Sequence, residues 1–220
     1  MKIVSLSFDD GTIYDERFIK LLEKYDIKAS LNLNSGLNDF VWHLDGKPIK
    51  RLNLEESSSL YKNQEVASHS FSHPYFSSLN DEQAIEEIRK DIFSLSRIFN
   101  RKINGFAFPF SDEVDSKIEL IKNTFDLKYI RYSKIKNSYI PQDRYHVHIN
   151  ALYNDEKIYD KLKDFASNLL DNSLFVIAGH SYEFEVNNDW NRIENLLRYL
   201  SKEKDITVLP LEDSVDILFK

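Results

Sequence analysis

Apolar residues along this chain fall into two alternating patterns. Short runs rich in β-branched and aromatic residues predict strands at residues 3–8, 28–33, 65–68, 105–108, 129–132, 145–149, 174–178 and 206–209. Between them, longer stretches place apolar residues three and four apart, the spacing of one helix face. Phe18, Leu21, Leu22 and Tyr25 form such a stripe in residues 14–25. Ile85, Ile88, Ile92, Leu95 and Ile98 form another, after Asn80-Asp81-Glu82-Gln83, which reads as a helix start. Further helices are predicted at 113–125, 155–170 and 189–200, with a short one at 211–219.

This alternation argues for parallel strands with helices outside. About eight strand segments fit a barrel or a doubly wound sheet, and right-handed crossovers permit both. In either fold, ligand chemistry gathers at the C-terminal ends of the strands. Residues 36–52 break the rhythm. They contain Trp42, Gly46 and Pro48 and predict an inserted loop or hairpin. There is no internal repeat, and five Gly and five Pro in 220 residues leave no linker, so one domain is expected.

Composition narrows the function. With 42% hydrophobic and 30% charged residues, the chain is a soluble globular protein with a sizeable core. A net charge of −7 without any basic stripe argues against nucleic acid and against an anionic membrane surface as partners. The absence of cysteine removes disulfides, thiolate catalysis and Cys-based metal sites. No apolar run approaches the ~18 residues that span a bilayer. Asp9 and Asp10 interrupt the start before a secretory h-region of roughly 7–15 apolar residues can form. The expectation is a cytoplasmic protein without membrane insertion, an extracellular placement staying open. Oligomeric state is not legible.

Polar residues stand at the strand ends. The first strand runs into Asp9-Asp10-Gly11. Adjacent carboxylates repel and are costly to desolvate together unless a cation sits there, although Asp-Gly is also common turn punctuation. The strand at 65–68 runs into His69-Ser70-Phe71-Ser72-His73. Histidines at i and i+4 face the same way if the segment turns helically. Two imidazoles and a carboxylate suit zinc or another borderline divalent ion, while surface or capping histidines are the alternative. The strand at 174–178 ends in Gly179-His180-Ser181-Tyr182-Glu183, where a lone histidine reads equally as structural.

Taken in order, Ser7-Phe8-Asp9-Asp10-Gly11, then His69-Ser70-Phe71-Ser72-His73 behind Glu65-Val66-Ala67-Ser68, then Phe108-Pro109-Phe110, then His180, this chain resembles the polysaccharide deacetylase family. That family is the NodB-homology domain of carbohydrate esterase family 4. The resemblance spans residue 3 to about residue 210. It implies a single-domain α/β fold, a distorted (β/α) barrel of the NodB-homology type. It also implies a metal-dependent hydrolase that removes an acetyl group from a sugar or glycan, most often N-acetyl. Carried over residue by residue, Asp10, His69 and His73 hold one divalent ion, zinc first and cobalt, manganese, nickel or iron as alternatives. Asp9 is the general base, His180 the general acid, and the backbone N–H of Phe110 an oxyanion donor. The partner is an acetylated carbohydrate or small molecule.

Departures matter too. The family's third motif carries an arginine where this chain has Ala107. A divergent branch places its arginine in the next strand, and Arg131 fits that pattern, a candidate to orient Asp9; a surface arginine on a strand edge is the alternative. Glu183 resembles an acid that follows the late histidine in that branch. Tyr182 and Trp42 are candidate sugar-stacking aromatics, as is Trp190, against a background of core aromatics. The fourth motif is not recognisable. His146, His148 and Asn150 occupy about its place, as a partner of His180, as a fourth ligand (His148), or as polar lining without a direct role. Two further readings remain: a related hydrolase of non-peptide amides on a small molecule, and a catalytically inactive carbohydrate-binding relative.

Overall fold

The computed structural model describes residues 1–220. In chain order the elements are β1 (Lys2–Asp9), α1 (Asp15–Lys24), β2 (Ser30–Leu33), β3 (Val41–Leu44), β4 (Lys47–Lys50), α2 (Leu54–Ser57), β5 (Glu65–Ser68), α3 (Asp81–Phe99), β6 (Gly105–Ala107) and α4 (Asp115–Thr124). They continue with β7 (Tyr129–Ile135), β8 (Val147–Ile149), β9 (Ala151–Leu152), α5 (Ile158–Ser167), β10 (Ser173–His180), α6 (Ser181–Val186), α7 (Trp190–Leu200), β11 (Thr207–Val208) and α8 (Leu211–Leu218).

One parallel sheet runs in the order β8-β7-β6-β5-β2-β1-β10-β9, with β11 added beside β1. Strands β3 and β4 form a separate antiparallel hairpin in the segment expected to interrupt the rhythm. The large sheet curls until its edges nearly meet. Strand β8 pairs with β7 at one edge, and two residues later β9 pairs with β10 at the other. Asn150 makes the step. Its N–H donates to the Val176 carbonyl and its Oδ1 accepts the Val176 N–H, both at 2.8 Å. The result is a nearly closed (β/α) barrel of NodB type, a single domain. No helix is long and apolar enough to cross a membrane.

Alternation along the strands sorts the core. On β1, Val4, Leu6 and Phe8 face the helices and join Phe18, Ile19 and Leu22 of α1, with Phe8 and Phe18 ring centroids 4.5 Å apart. Ile3 packs instead with Tyr129, Leu174 and Val176. Leu211 and Val215 of α8 join that group, and Ser214 Oγ meets Ser5 Oγ at 2.9 Å. The first turn of α8 docks where the strands begin. The Leu211 N–H donates to Ser30 Oγ and the Glu212 N–H to Glu65 Oε2. Helix α8 therefore closes the mouth at the strands' amino ends and leaves the carboxyl ends open. The start at Asn80 is a capping box, in which Asn80 Oδ1 accepts the Gln83 N–H and Gln83 Oε1 accepts the Asn80 N–H.

Candidate metal and catalytic centre

Register brings the chemistry together. Asp9 lies opposite His180 of β10 on one side and Asn32 of β2 on the other, while Ala107 of β6 pairs with Arg131 of β7. Asp9, His180, Asn32 and Ala107 stand at or near the carboxyl ends of their parallel strands, while Arg131 reaches in from the third position of β7.

Asp9 is 8% exposed and fully engaged. One terminal nitrogen of Arg131 lies 2.6 Å from Oδ1 and 2.7 Å from Oδ2, and Asn32 Nδ2 donates to Oδ1 at 2.7 Å. Arg131 is 1% exposed. Removing one member of such a pair strands the other charge at about 3–5 kcal/mol. The side chain expected beside Asp9 thus comes from β7, across from Ala107.

Asp10 sits past the strand end with φ +87°, in the left-handed region that side chains other than glycine rarely occupy. Gly11 follows at φ +66°, where a Cβ would come 2.9 Å from the Leu33 side chain, so the second half of the turn requires glycine. Burial pushes the Asp10 carboxyl up, but Arg51 and the histidines His180, His69 and His73 outweigh it and hold it below the ordinary value. Arg51 Nη2 lies 2.9 Å from Oδ1.

His69 leaves β5 directly. Its Nδ1 lies 2.8 Å from the Ala107 carbonyl, which can only accept, so Nδ1 carries the proton and Nε2 keeps a free lone pair. The residue at the departed arginine position therefore orients a ring through its backbone. Burial, and next His73, push His69 well below the ordinary histidine range. Burial also lowers His73. Both rings are therefore neutral, as ligands must be. The segment between them is not helical. Ser70 (φ +67°) and His73 (φ +57°) are left-handed, and this tight loop brings the ring centroids to 4.9 Å.

The ligand atoms of Asp10, His69 and His73 lie within 4.8 Å of one another. Asp10 Oδ1 is 3.5 Å from His73 Nε2 and 4.0 Å from His69 Nε2. Donors on a tetrahedral divalent ion stand about 3.3 Å apart, given bonds of about 2.0–2.2 Å. The donor set, its spacing and the His69 tautomer fit such an ion.

His180 faces the same point, its Nε2 4.0 Å from Asp10 Oδ2. Its Nδ1 is 3.3 Å from Glu183 Oε1, and its N–H donates to Glu183 Oε2 at 3.1 Å. Burial works against its charge, but Glu183 and the two aspartates prevail and raise its pKa to about 9. The ring keeps 30% of its surface exposed toward a cavity of about 730 Å³. Phe110 lines that cavity with its ring 4.5 Å from the His73 ring, left-handed at φ +56° and stacked on Tyr75 with centroids 4.0 Å apart. No acceptor within the chain takes its N–H. Tyr182 lines the cavity beside His180, and Ile149 and Leu152 are apolar wall.

Other expectations fall elsewhere. Trp42 does not line the cavity; its ring packs over Arg51 and edge-on against Tyr182. Trp190 is buried among α1, α6 and α7, with Arg17 over its ring at 4.1 Å. His146 pairs with Asp143, and His148 opens on a separate cavity of about 160 Å³. Neither contacts His180 nor joins the ligand cluster, because β8 turns these side chains away from the centre. Asn150 is occupied in barrel closure. Sequence reasoning missed Asn32, Asn34, Arg51 and Asp91. A signal existed for the first two: Ser30, Asn32 and Asn34 alternate along β2 and just past its end, all buried, a polar row no core face needs.

Residues 1–130 match the polysaccharide deacetylase family, and the chain belongs to it. No curated protein matches it in sequence. Solved structures of similar fold include the carbohydrate esterase family 4 domain of a multidomain xylanase from the hindgut metagenome of Trinervitermes trinervoides. It is 16% identical, at a TM-score of 0.64, covering 98% of this chain and 90% of that one. A family 4 acetyl xylan esterase from Clostridium thermocellum, in complex with a cobalt ion, is 16% identical at 0.63, covering 98% and 91%. A family 4 pseudoenzyme from Bacillus anthracis is 18% identical at 0.64, covering 98% and 66%. At these identities the likeness is one of fold.

Proposed function

We propose that this protein is a metal-dependent deacetylase that removes an acetyl group, most often N-linked, from an amino sugar or glycan. The observation that carries the reading is the convergence of three neutral or anionic donors (Asp10, His69, His73) between a second carboxylate, Asp9, and a protonated histidine, His180. A divalent ion held by those three donors, zinc by preference for this set, supplies Lewis acidity: it polarises a carbonyl and lowers the pKa of water.

The chain's own residues do the rest. Asp9 accepts the proton of the attacking water. Its Oδ2 is the oxygen free of Asn32 and lies 3.9 Å from His69 Nε2, facing the donor cluster. Arg131 supplies the counter-charge to Asp9 and fixes its plane. The water oxygen bonds to the acyl carbon as the carbonyl becomes an oxyanion, and the free Phe110 N–H is an available donor to it. When the C–N bond breaks, His180 delivers its proton to the departing amine, and acetate and the free amine leave. Glu183 holds the imidazolium until then. Tyr182 and the apolar wall of Ile149 and Leu152 enclose the sugar and its acyl group, in a cavity within the range of small-ligand sites.

A second reading has two observations in its favour. Ala107 stands where the family carries an arginine, and a pseudoenzyme is among the similar folds. Arg131 on Asp9 weighs against it, since a retired centre needs no buried guanidinium on its base. Elemental analysis of the purified chain and of a His69→Ala/His73→Ala variant tests the site. About one divalent ion per chain, lost in the variant, with acetate released from N-acetylated sugars by the wild type alone, is the expected result. A wild type that holds no ion after reconstitution overturns the hydrolase reading and leaves the binding relative.

A further inference from the structure

The hairpin of β3 and β4 is anchored at its exit. Its tip, Asp45-Gly46, is left-handed at both residues (φ +49° and +74°) and exposed, an ordinary two-residue hairpin turn. Past β4 the chain lies along the turn that follows Asp10. Arg51 bridges Thr12 in antiparallel fashion, the Ile13 N–H donates to the Lys50 carbonyl at 3.0 Å, and the Leu52 N–H donates to the Gly11 carbonyl at 2.8 Å. The backbone of Arg51 is thus fixed beside the Asp9-Asp10 motif before its side chain does anything.

That side chain enters the centre and is 5% exposed. One terminal nitrogen donates to the Asp10 backbone carbonyl and, at 2.6 Å, to Asn34 Oδ1. The other donates at 2.9 Å to Asp10 Oδ1, the oxygen nearest the histidines. Asn34 passes the connection on. Its Nδ2 donates to the carbonyls of His69 at 2.5 Å and Ser70 at 2.8 Å. The Trp42 ring covers the guanidinium at 5.3 Å. Of the three left-handed side-chain-bearing residues in the ligand-bearing turns, Asp10, Ser70 and His73, this chain of bonds holds the first two. Such conformations persist only where the surroundings over-determine them.

We propose that Arg51 is a positioning residue of the metal centre: through Asn34 it ties the Asp10 turn to the His69-Ser70 turn, and the inserted hairpin is thereby a working part of the site. The inference rests on Asp10, His69 and His73 being the ligands.

Two effects of Arg51 oppose each other. Its charge repels a nearby cation, so a purely electrostatic arginine weakens metal binding and its removal tightens it. Its bonds hold the donors in place, so a positioning arginine strengthens binding and its removal loosens it. Partners of metal ligands are worth about 10–100-fold in affinity, and positioning prevails here because the turns it holds are strained. Lysine keeps the charge but lacks the planar fork whose two nitrogens reach the Asp10 carboxylate on one side and Asn34 on the other.

The test is a Zn²⁺ titration of the full chain against a chromophoric chelator, for wild type, Arg51→Ala, Arg51→Lys and Asn34→Ala, each checked for fold by circular dichroism. Weaker binding by about 10–100-fold is expected in all three variants, with an altered visible spectrum of the Co²⁺ forms. If Arg51→Ala fails to fold, Arg51→Lys and Asn34→Ala carry the test, since both leave Asp10 a neighbouring cation. Folded variants that bind Zn²⁺ as tightly as wild type or more so, with an unchanged Co²⁺ spectrum, overturn the proposal alone. A wild type that binds no Zn²⁺ overturns it together with the reading it rests on.

Discussion

A carboxylate buried beside an arginine is a debt that only the pair discharges. Asp9 and Arg131 are 8% and 1% exposed, and each is the other's principal counter-charge. Arg131→Met leaves Asp9 buried with Asn32 as its one remaining partner, so the variant is expected to lose about 3–5 kcal/mol in urea denaturation along with its turnover. Asp9→Asn/Arg131→Met removes both charges and is expected to recover most of the stability but none of the activity. A double variant no more stable than Arg131→Met would show that the two groups do not act as a pair. At this scale the sequence is informative where a side chain stands next to a strand end, since order along the chain then mirrors order around the rim. Asp9, Asp10, His69, His73 and His180 are all of this kind. Arg51 is not. It sits in a segment whose pattern reads as an insertion, and only the backbone bridge to Thr12 shows that it returns to the first motif.

Elements were legible to the extent that their own periodicity defined them. The long apolar stripe and capping residues of α3 mark it within a residue or so, whereas α6 presents six residues with only Ser181 and Phe184 buried and offers no period to read. The strand expected at 145–149 ends where β8 ends, but the next strand, β9, has no pattern of its own, because the chain changes sheet edge at Asn150, a step determined by the closing barrel and not by local preference. Helix α3 carries a further element-scale function in Asp91, fully buried on its apolar face. Its Oδ1 accepts the N–H and hydroxyl of Ser35 at 2.7 and 2.6 Å, and its Oδ2 accepts the Ser68 hydroxyl at 2.6 Å. These bonds pin the end of β5 one residue before His69. Asp91→Ala strands three buried donors, so a loss of about 2–4 kcal/mol is expected, at roughly 1–3 kcal/mol for each group not rehydrated. Thermal unfolding of the metal-free protein measures it, and a shift within a degree or two would refute the pinning role.

Over the whole molecule, the unusual feature is how many carboxyl groups the barrel keeps dry. Burial, partly offset by hydroxyl donors, raises Glu65 to about 7, Asp91 to about 7 and Asp15 to about 6, from ordinary values of 4.5, 3.8 and 3.8. Each holds its proton more tightly folded than unfolded. Their contribution to stability is therefore complete below about pH 4 and drains away as pH rises through 6 to 7. His180 adds to the alkaline loss, since its raised pKa of about 9 gives stability that is present below 6.5 and gone above 9. The acid side runs the other way. Asp10 is lowered, and His69 and His73 are buried neutral, so stability also falls as pH drops through their folded values. The metal-free protein is expected to be most stable in mildly acidic solution and to weaken from about pH 5 to pH 9, first as the three carboxyls ionise and then as His180 loses its proton. Glu65 isolates the alkaline limb, because it lies at the α8 end of the barrel, where Ser30, Tyr129 and the Glu212 N–H meet it, away from the metal donors. The rise from 4.5 to about 7 corresponds to about 3 kcal/mol, so Glu65→Gln should flatten the fall between pH 4 and 8 by an amount of that order. Urea denaturation in the presence of a chelator, at half-unit steps of pH, gives the comparison. Parallel curves for wild type and Glu65→Gln would mean that Glu65 is ionised in the folded barrel, and that α8 closes over a charge and not over a proton.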